Sequence, residues 1–228
     1  MELWTAITGE RLRLAELLAG LSDQQWAIAS LCSEWTVRDV AAHLVAPLAT
    51  PALMLRFALD MVRARGSFEK ANQLGTSRMA ARPPAELVEL LRAHADSRFV
   101  APTMPRTASL AEILVHGQDI RVPLGVDDPG PVEHWTTALD FLVTPAARRG
   151  FVGGRLPRLR WTASDASWTA STAGTAAPDS SAATDSAAAV AEVSGPASAL
   201  ALAMMGRAAR LDELDGDGAA TVAGWLRG

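Results

Sequence analysis

Apolar residues recur at Leu3, Ile7, Leu12, Leu14, Leu17 and Leu18, close to a 3.6-residue period, and predict a helix over Trp4–Leu21. Leu21-Ser22-Asp23 breaks the pattern. Thr36-Val37-Arg38-Asp39 has the spacing of a capping box and starts a second helix, which runs through Val40, His43 and Leu44 towards Arg65. Pro47 and Pro51 predict bends in it. The stretch Gly66–Pro84, rich in Gly, Asn, Ser and Pro, reads as a loop. Three further helices follow, over Ala85–Val100, Ala108–Val122 and Val132–Arg148, each bounded by Pro or Gly.

The pattern changes after Arg149. Arg158-Leu159-Arg160-Trp161-Thr162-Ala163 alternates as a strand does, Ser164–Ser167 is a turn, and Trp168–Ser171 pairs back. Val190–Val193 resumes a strand, Gly195-Pro196 opens a helix over Ala197–Met205, and Leu211–Leu226 supplies a last turn with a helix or strand. The tract Gly174–Ala188 is almost wholly Ala, Ser, Thr, Asp, Gly and Pro, and its lack of apolar area predicts a flexible tip or insertion. The expected class is α+β: a helical bundle over residues 1–150, then a small α+β domain over 151–228.

Composition narrows the functional classes. With 228 residues and 49% of them apolar, the chain has enough apolar material for a packed core. A net charge of -4 argues against a general nucleic-acid binder. Pro47, Pro51, Arg56 and Asp60 interrupt the most apolar stretch, which argues against a membrane span. The N-terminus lacks the pattern of a signal peptide. A single cysteine, Cys32, allows no internal disulfide and suits a reducing compartment, so a cytoplasmic location is expected.

The chemistry gathers around two histidines. Glu112 and His116 are four residues apart on one predicted helix, so their side chains share a face. His43 lies on another helix among Val40, Leu44 and Val45 and is expected to point inward. Together the three form an N,N,O ligand set with an open position, as catalytic zinc sites use. Plainer readings stand beside this one. Glu112 closes a capping box begun by Ser109, and either histidine can be a buried residue hydrogen-bonded to a carbonyl. His94 and His134 read as surface residues. Cys32 reads as structural, with nothing near it in sequence to form a Cys–His pair.

Residues 32–45 read Cys-Ser-Glu-Trp-Thr-Val-Arg-Asp-Val-Ala-Ala-His-Leu-Val, and residues 112–125 read Glu-Ile-Leu-Val-His-Gly-Gln-Asp-Ile-Arg-Val-Pro-Leu-Gly. The pair closely resembles the mycothiol-dependent maleylpyruvate isomerase-like family of DinB-like metal-binding bundles. The second half is similar to that family's small, sterol-carrier-like C-terminal domain, through Arg160–Trp168, Gly195-Pro196-Ala197, Gly206-Arg207 and Leu214–Gly218. The resemblance implies that His43, Glu112 and His116 ligate Zn2+ or another divalent metal. It implies a thiol cofactor, mycothiol, acting as a nucleophile in isomerisation or S-transfer on a small electrophilic substrate.

An anionic substrate would need a cation, for which Arg207 and Arg121 are the candidates. Asp119 is placed to orient a ligand or to pair with Arg121. The expected partners are a small-molecule substrate and a thiol, with no nucleic acid and no membrane, in a monomer or homodimer. A non-catalytic protein of the same fold, binding a metal and a small ligand, is the alternative.

Overall fold

The computed structural model describes residues 2–150, 156–173 and 190–227. The tract Gly174–Ala188 lies outside the described residues. The chain is α+β and divides into two compact units, Met1–Asp128 and Pro129–Gly228.

The first unit is helical. It contains α1 (Leu3–Ala19), the short α2 (Asp23–Trp26), α3 (Val37–Ala49), α4 (Leu53–Arg63), α5 (Phe68–Ala80), α6 (Pro84–Ala93) and α7 (Thr107–Arg121). α3 begins as the sequence indicates: Thr36 Oγ1 accepts from the Asp39 N–H, and Asp39 Oδ2 accepts from the Thr36 N–H. The expected long second helix is two helices. The chain breaks at Thr50–Ala52, where Pro51 removes an N–H and Ala52 is left-handed at φ 50°.

The loop expected over Gly66–Pro84 is a helix for most of its length, α5, capped where Ser67 Oγ accepts from the Lys70 N–H. Its polar, Gly-containing sequence hides it, because it buries only Ala71, Thr76 and Met79. α3 packs on α5, α6 and α7, and α1 packs on α6 and α7. α7 is central, burying twelve residues including Leu110, Leu114, Val115 and Ile120. α4 is reversed in polarity: Asp60 is its one buried residue, while Met54, Leu55, Leu59 and Val62 are exposed. Its contact is with α5, where Arg78 Nη1 and Nη2 donate to the two Asp60 oxygens at 2.9 and 2.5 Å.

The second unit contains α8 (Val132–Leu142), α9 (Ala147–Gly150), β1 (Arg160–Ala163), β2 (Thr169–Ser171), β3 (Glu192–Gly195), α10 (Ala197–Met204), a 3-10 turn at Leu211–Glu213 and α11 (Ala219–Trp225). The divide thus falls before α8 rather than near residue 150, because α8 sets Trp135, Ala138, Leu139 and Leu142 in the core with α10. The strands run β2-β1-β3, with β1–β2 an antiparallel hairpin and β1–β3 parallel. Trp161 on β1 is fully buried, and its Nε1–H donates to Thr172 Oγ1 at 3.2 Å.

All eight residues of α10 are buried. Its first N–H is capped from the β1–β2 turn, where Asp165 Oδ1 accepts from Ala197 N at 2.9 Å. No helix among the described residues is long and apolar enough to cross a membrane.

Candidate metal centre

α3 and α7 face one another, and each delivers part of the expected ligand set. His43 sits at the middle of α3, between the buried Ala42 and Leu44. Glu112 and His116 are one turn apart on α7. The structure brings the three together. His43 Nε2 lies 3.5 Å from Glu112 Oε1, and the His43 and His116 rings meet edge-on with centroids 5.0 Å apart. Two ligands at about 2.0–2.2 Å from one tetrahedral ion stand about 3.3 Å from each other, and the rings of two ligating histidines about 5 Å. The His43–Glu112 separation fits two ligands of one divalent ion, and the ring spacing sets His116 beside them.

The capping-box reading of Glu112 does not hold. α7 begins at Thr107 without a side-chain cap, and Ser109 Oγ donates instead to the Phe99 carbonyl at 3.2 Å. Burial opposes ionisation of Glu112. The facing His43 and His116, with the Arg11 guanidinium, more than offset that and hold its carboxyl below the usual carboxylate range.

Asp119 is fully buried and lies on the outer side of His116, with Oδ2 2.8 Å from Nδ1. An acceptor there fixes the tautomer that presents Nε2 to an ion. Asp119 does not pair with Arg121. Arg121 is buried and directed to Asp128, with Nε 3.8 Å from Oδ2. Its guanidinium lies over α7 where Gly117 leaves room, since a Cβ at Gly117 would meet Arg121 Nη1 at 2.6 Å. Arg207 is in the second unit, where its Nη1 donates to the Met205 carbonyl.

Cys32 departs from the structural reading. Its thiol donates to Asp119 Oδ2 at 3.0 Å and lies 3.7 Å from His116 Nδ1. The loop before α3 makes this contact. Leu31 N donates to the Asp119 carbonyl, and the loop closes on itself through an Ala29–Thr36 bridge and the bond from Val37 N to Ile28 O. Ligating atoms of Cys32, His116 and Asp119 all lie within 4.8 Å of one another, a second arrangement able to hold a cation.

The sequence gives no warning of this contact, because 87 residues separate Cys32 from Asp119. Trp35 is half-buried against His43. The two rings are 5.1 Å apart, and Trp35 Nε1 donates to Gln73 on α5.

The sequence model of the mycothiol maleylpyruvate isomerase N-terminal domain matches residues 8–121. No curated protein matches the chain by sequence. Among solved structures, mycothiol-dependent maleylpyruvate isomerase is similar over 96% of this chain and 92% of that one, at 14% identity and a TM-score of 0.56. A histidine-to-alanine variant of that enzyme gives the same coverage and identity, with a TM-score of 0.59. At this identity the likeness to the solved structures is one of fold. The family match spans half the chain and includes His43, Glu112 and His116, so the chain belongs to the mycothiol maleylpyruvate isomerase N-terminal domain family.

Proposed function

We propose that the protein is a metal-dependent enzyme in which a low-molecular-weight thiol, mycothiol, attacks a small anionic electrophile in isomerisation or S-transfer. The observation that carries this reading is the meeting of His43, Glu112 and His116 from two facing helices, with Asp119 behind His116. His43 Nε2, His116 Nε2 and a Glu112 oxygen would hold the ion, Zn2+ or another divalent metal.

Such an ion, when bound, lowers the pKa of a thiol so that the thiolate is present near neutral pH. The chain's own part is orientation. Asp119 accepts from His116 and fixes its ring, and Trp35 packs on His43 and limits its rotation. Leu44 and Ile113 set apolar surface beside Glu112. For a maleylpyruvate-type substrate, thiolate addition, rotation about the resulting single bond and elimination give net cis–trans isomerisation.

The test is metal analysis of the purified protein together with turnover of maleylpyruvate, with and without mycothiol. His116→Ala is expected to lose both metal and thiol-dependent turnover while keeping its helical circular dichroism. Turnover indifferent to thiol, or undiminished in His116→Ala, overturns the reading. Metal retention without turnover favours the non-catalytic binding protein.

The Cys32–His116–Asp119 cluster supports a second placement of the ion, and Cys32→Ala separates the two. Metal content is kept if the ion rests on His43, Glu112 and His116, and is lost if Cys32 is a ligand.

A further inference from the structure

Of the eight large apolar residues exposed among the described residues, five lie close together in the chain: Met54, Leu55, Leu59, Val62 and Phe68. Four of them belong to α4, and their spacing makes one face. Met54, Ala58 and Val62 are four residues apart, and Leu55 and Leu59 form the neighbouring row. Leu55 is 64% exposed and Val62 79%. The opposite side of the helix carries the buried Asp60, turned towards α5, where Arg78 binds it. A contiguous exposed apolar face of this kind marks a contact surface, whereas single exposed residues do not.

The charges around this face are mostly of one sign. Between Leu53 and Arg82 stand six basic residues, Arg56, Arg63, Arg65, Lys70, Arg78 and Arg82, against two acidic ones, in a chain whose net charge is -4. One of the acids, Asp60, is buried and paired with Arg63 and Arg78. Arg56 and Arg63 run along one border of the apolar rows, and Arg65 stands at the helix end, all three exposed. What covers the face must therefore be apolar at its centre and anionic at its edge. A second copy set there about a two-fold axis would bring these arginines against their own counterparts, which disfavours self-association.

The outer side of a helix is a ridge and not a groove, so its partner has to yield to it. Eleven residues make a helix of about 16 Å, too short to span a hydrocarbon core of about 30 Å but able to lie in its surface. Apolar rows with arginines alongside suit the headgroup layer, where the apolar side chains dip in and the guanidinium groups stay with the phosphates.

We propose that α4 rests on the surface of an anionic phospholipid bilayer, with Met54, Leu55, Leu59, Val62 and Phe68 at the headgroup boundary and Arg56 and Arg65 on lipid phosphates. This departs from the expectation of no membrane partner. The contact is peripheral, so the proline and charged residues that argue against a span do not oppose it. None of these residues belongs to the candidate metal centre, and the contact does not depend on the proposed reaction.

The test is co-sedimentation of the full chain with vesicles of phosphatidylcholine alone and of equimolar phosphatidylcholine and phosphatidylglycerol. The wild type is expected to partition onto the anionic vesicles at least about tenfold more strongly than onto the neutral ones, and less strongly as salt is raised. Leu55→Ser with Val62→Ser is expected to weaken that binding by about tenfold or more, and so is Arg56→Glu with Arg65→Glu. All four positions are exposed, so circular dichroism and metal content are expected to be unchanged.

Leu12→Ser, at an exposed leucine of α1, is the control for general stickiness and is expected to bind as the wild type does. Equal binding to neutral and anionic vesicles overturns the proposal, as does binding that the α4 variants leave intact or that Leu12→Ser weakens as much. Sedimentation equilibrium without vesicles tests the second copy: a dimer that Leu55→Ser with Val62→Ser dissociates overturns the bilayer contact. Binding to neither kind of vesicle also overturns it, and an acidic protein surface then stands as the occupant.

Discussion

Asp119 has no exposed surface, and its carboxylate receives both the His116 ring nitrogen and the Cys32 thiol. Asp119→Asn keeps the volume but offers His116 a weaker, orientation-dependent acceptor. Metal affinity, measured by competition with a chelator, is expected to fall by about 10–100-fold with the bundle still folded. Unchanged affinity would show that His116 is oriented without it.

Two residues further along the same loop as Cys32, a different kind of constraint is visible. Glu34 is exposed and left-handed at φ 64°, a conformation costly for a residue with a Cβ. Glu34→Gly is expected to raise stability by about 0.5–1 kcal/mol in urea unfolding, without altering metal content. At this scale the sequence is uneven. Glu112 and His116 are visible as a helical pair because both lie on one turn. Cys32 is not, since it matters through a partner 87 residues away.

Among the elements, α4 depends on an unusual attachment. Its apolar residues face out, and it is held to α5 by Asp60 with Arg78 and by the edge-on packing of Phe57 on Phe68. The hydrogen bonds from Arg78, helped by Arg63, hold the Asp60 carboxyl below the usual carboxylate range although burial opposes this. A carboxylate with a depressed folded pKa stabilises above its unfolded pKa, near 3.9, and that stability is lost as pH falls through the lower folded value.

Asp60→Asn is therefore expected to cost about 1–2 kcal/mol at neutral pH, with Arg78 and Arg63 partly solvated. The gap to wild type should close as pH drops below about 4. Hydrogen exchange over residues 53–63 should report the loosening first. A gap independent of pH would show that the ion pair does not tie α4 down.

The same region shows where sequence periodicity fails. α3 and α7 are legible from their apolar spacing and the Thr36 cap. α5 is hidden because a helix that buries three residues of thirteen leaves little apolar pattern.

Across the whole molecule, the change from a helical to an alternating pattern after Arg149 marks the strands but not the unit boundary. α8 reads as one more bundle helix, because its amphipathic pattern states only that one face is buried. Which neighbour covers that face is a tertiary fact, and the neighbour is α10. The strand expected over Arg158–Ala163 is present as Arg160–Ala163, followed by the expected turn at Ser164–Ser167. Their short alternating segments sit beside residues such as Trp161 and Asp165 whose partners are close in the chain.

α10 carries this furthest. A helix with one wet face shows a 3.6-residue rhythm in the changes it accepts, and α1 is of that kind, with Glu10, Arg11 and Leu14 buried and Leu12 exposed. Ala197–Met204 has no wet face, and half of its residues are alanine. In a library carrying every single substitution, α1 should alternate between tolerant and intolerant positions. α10 should be intolerant at every position: larger side chains overfill its alanines and smaller ones empty its leucines. The second unit would then drift in sequence most slowly at its least distinctive segment, a run of small and aliphatic residues that carries no chemistry.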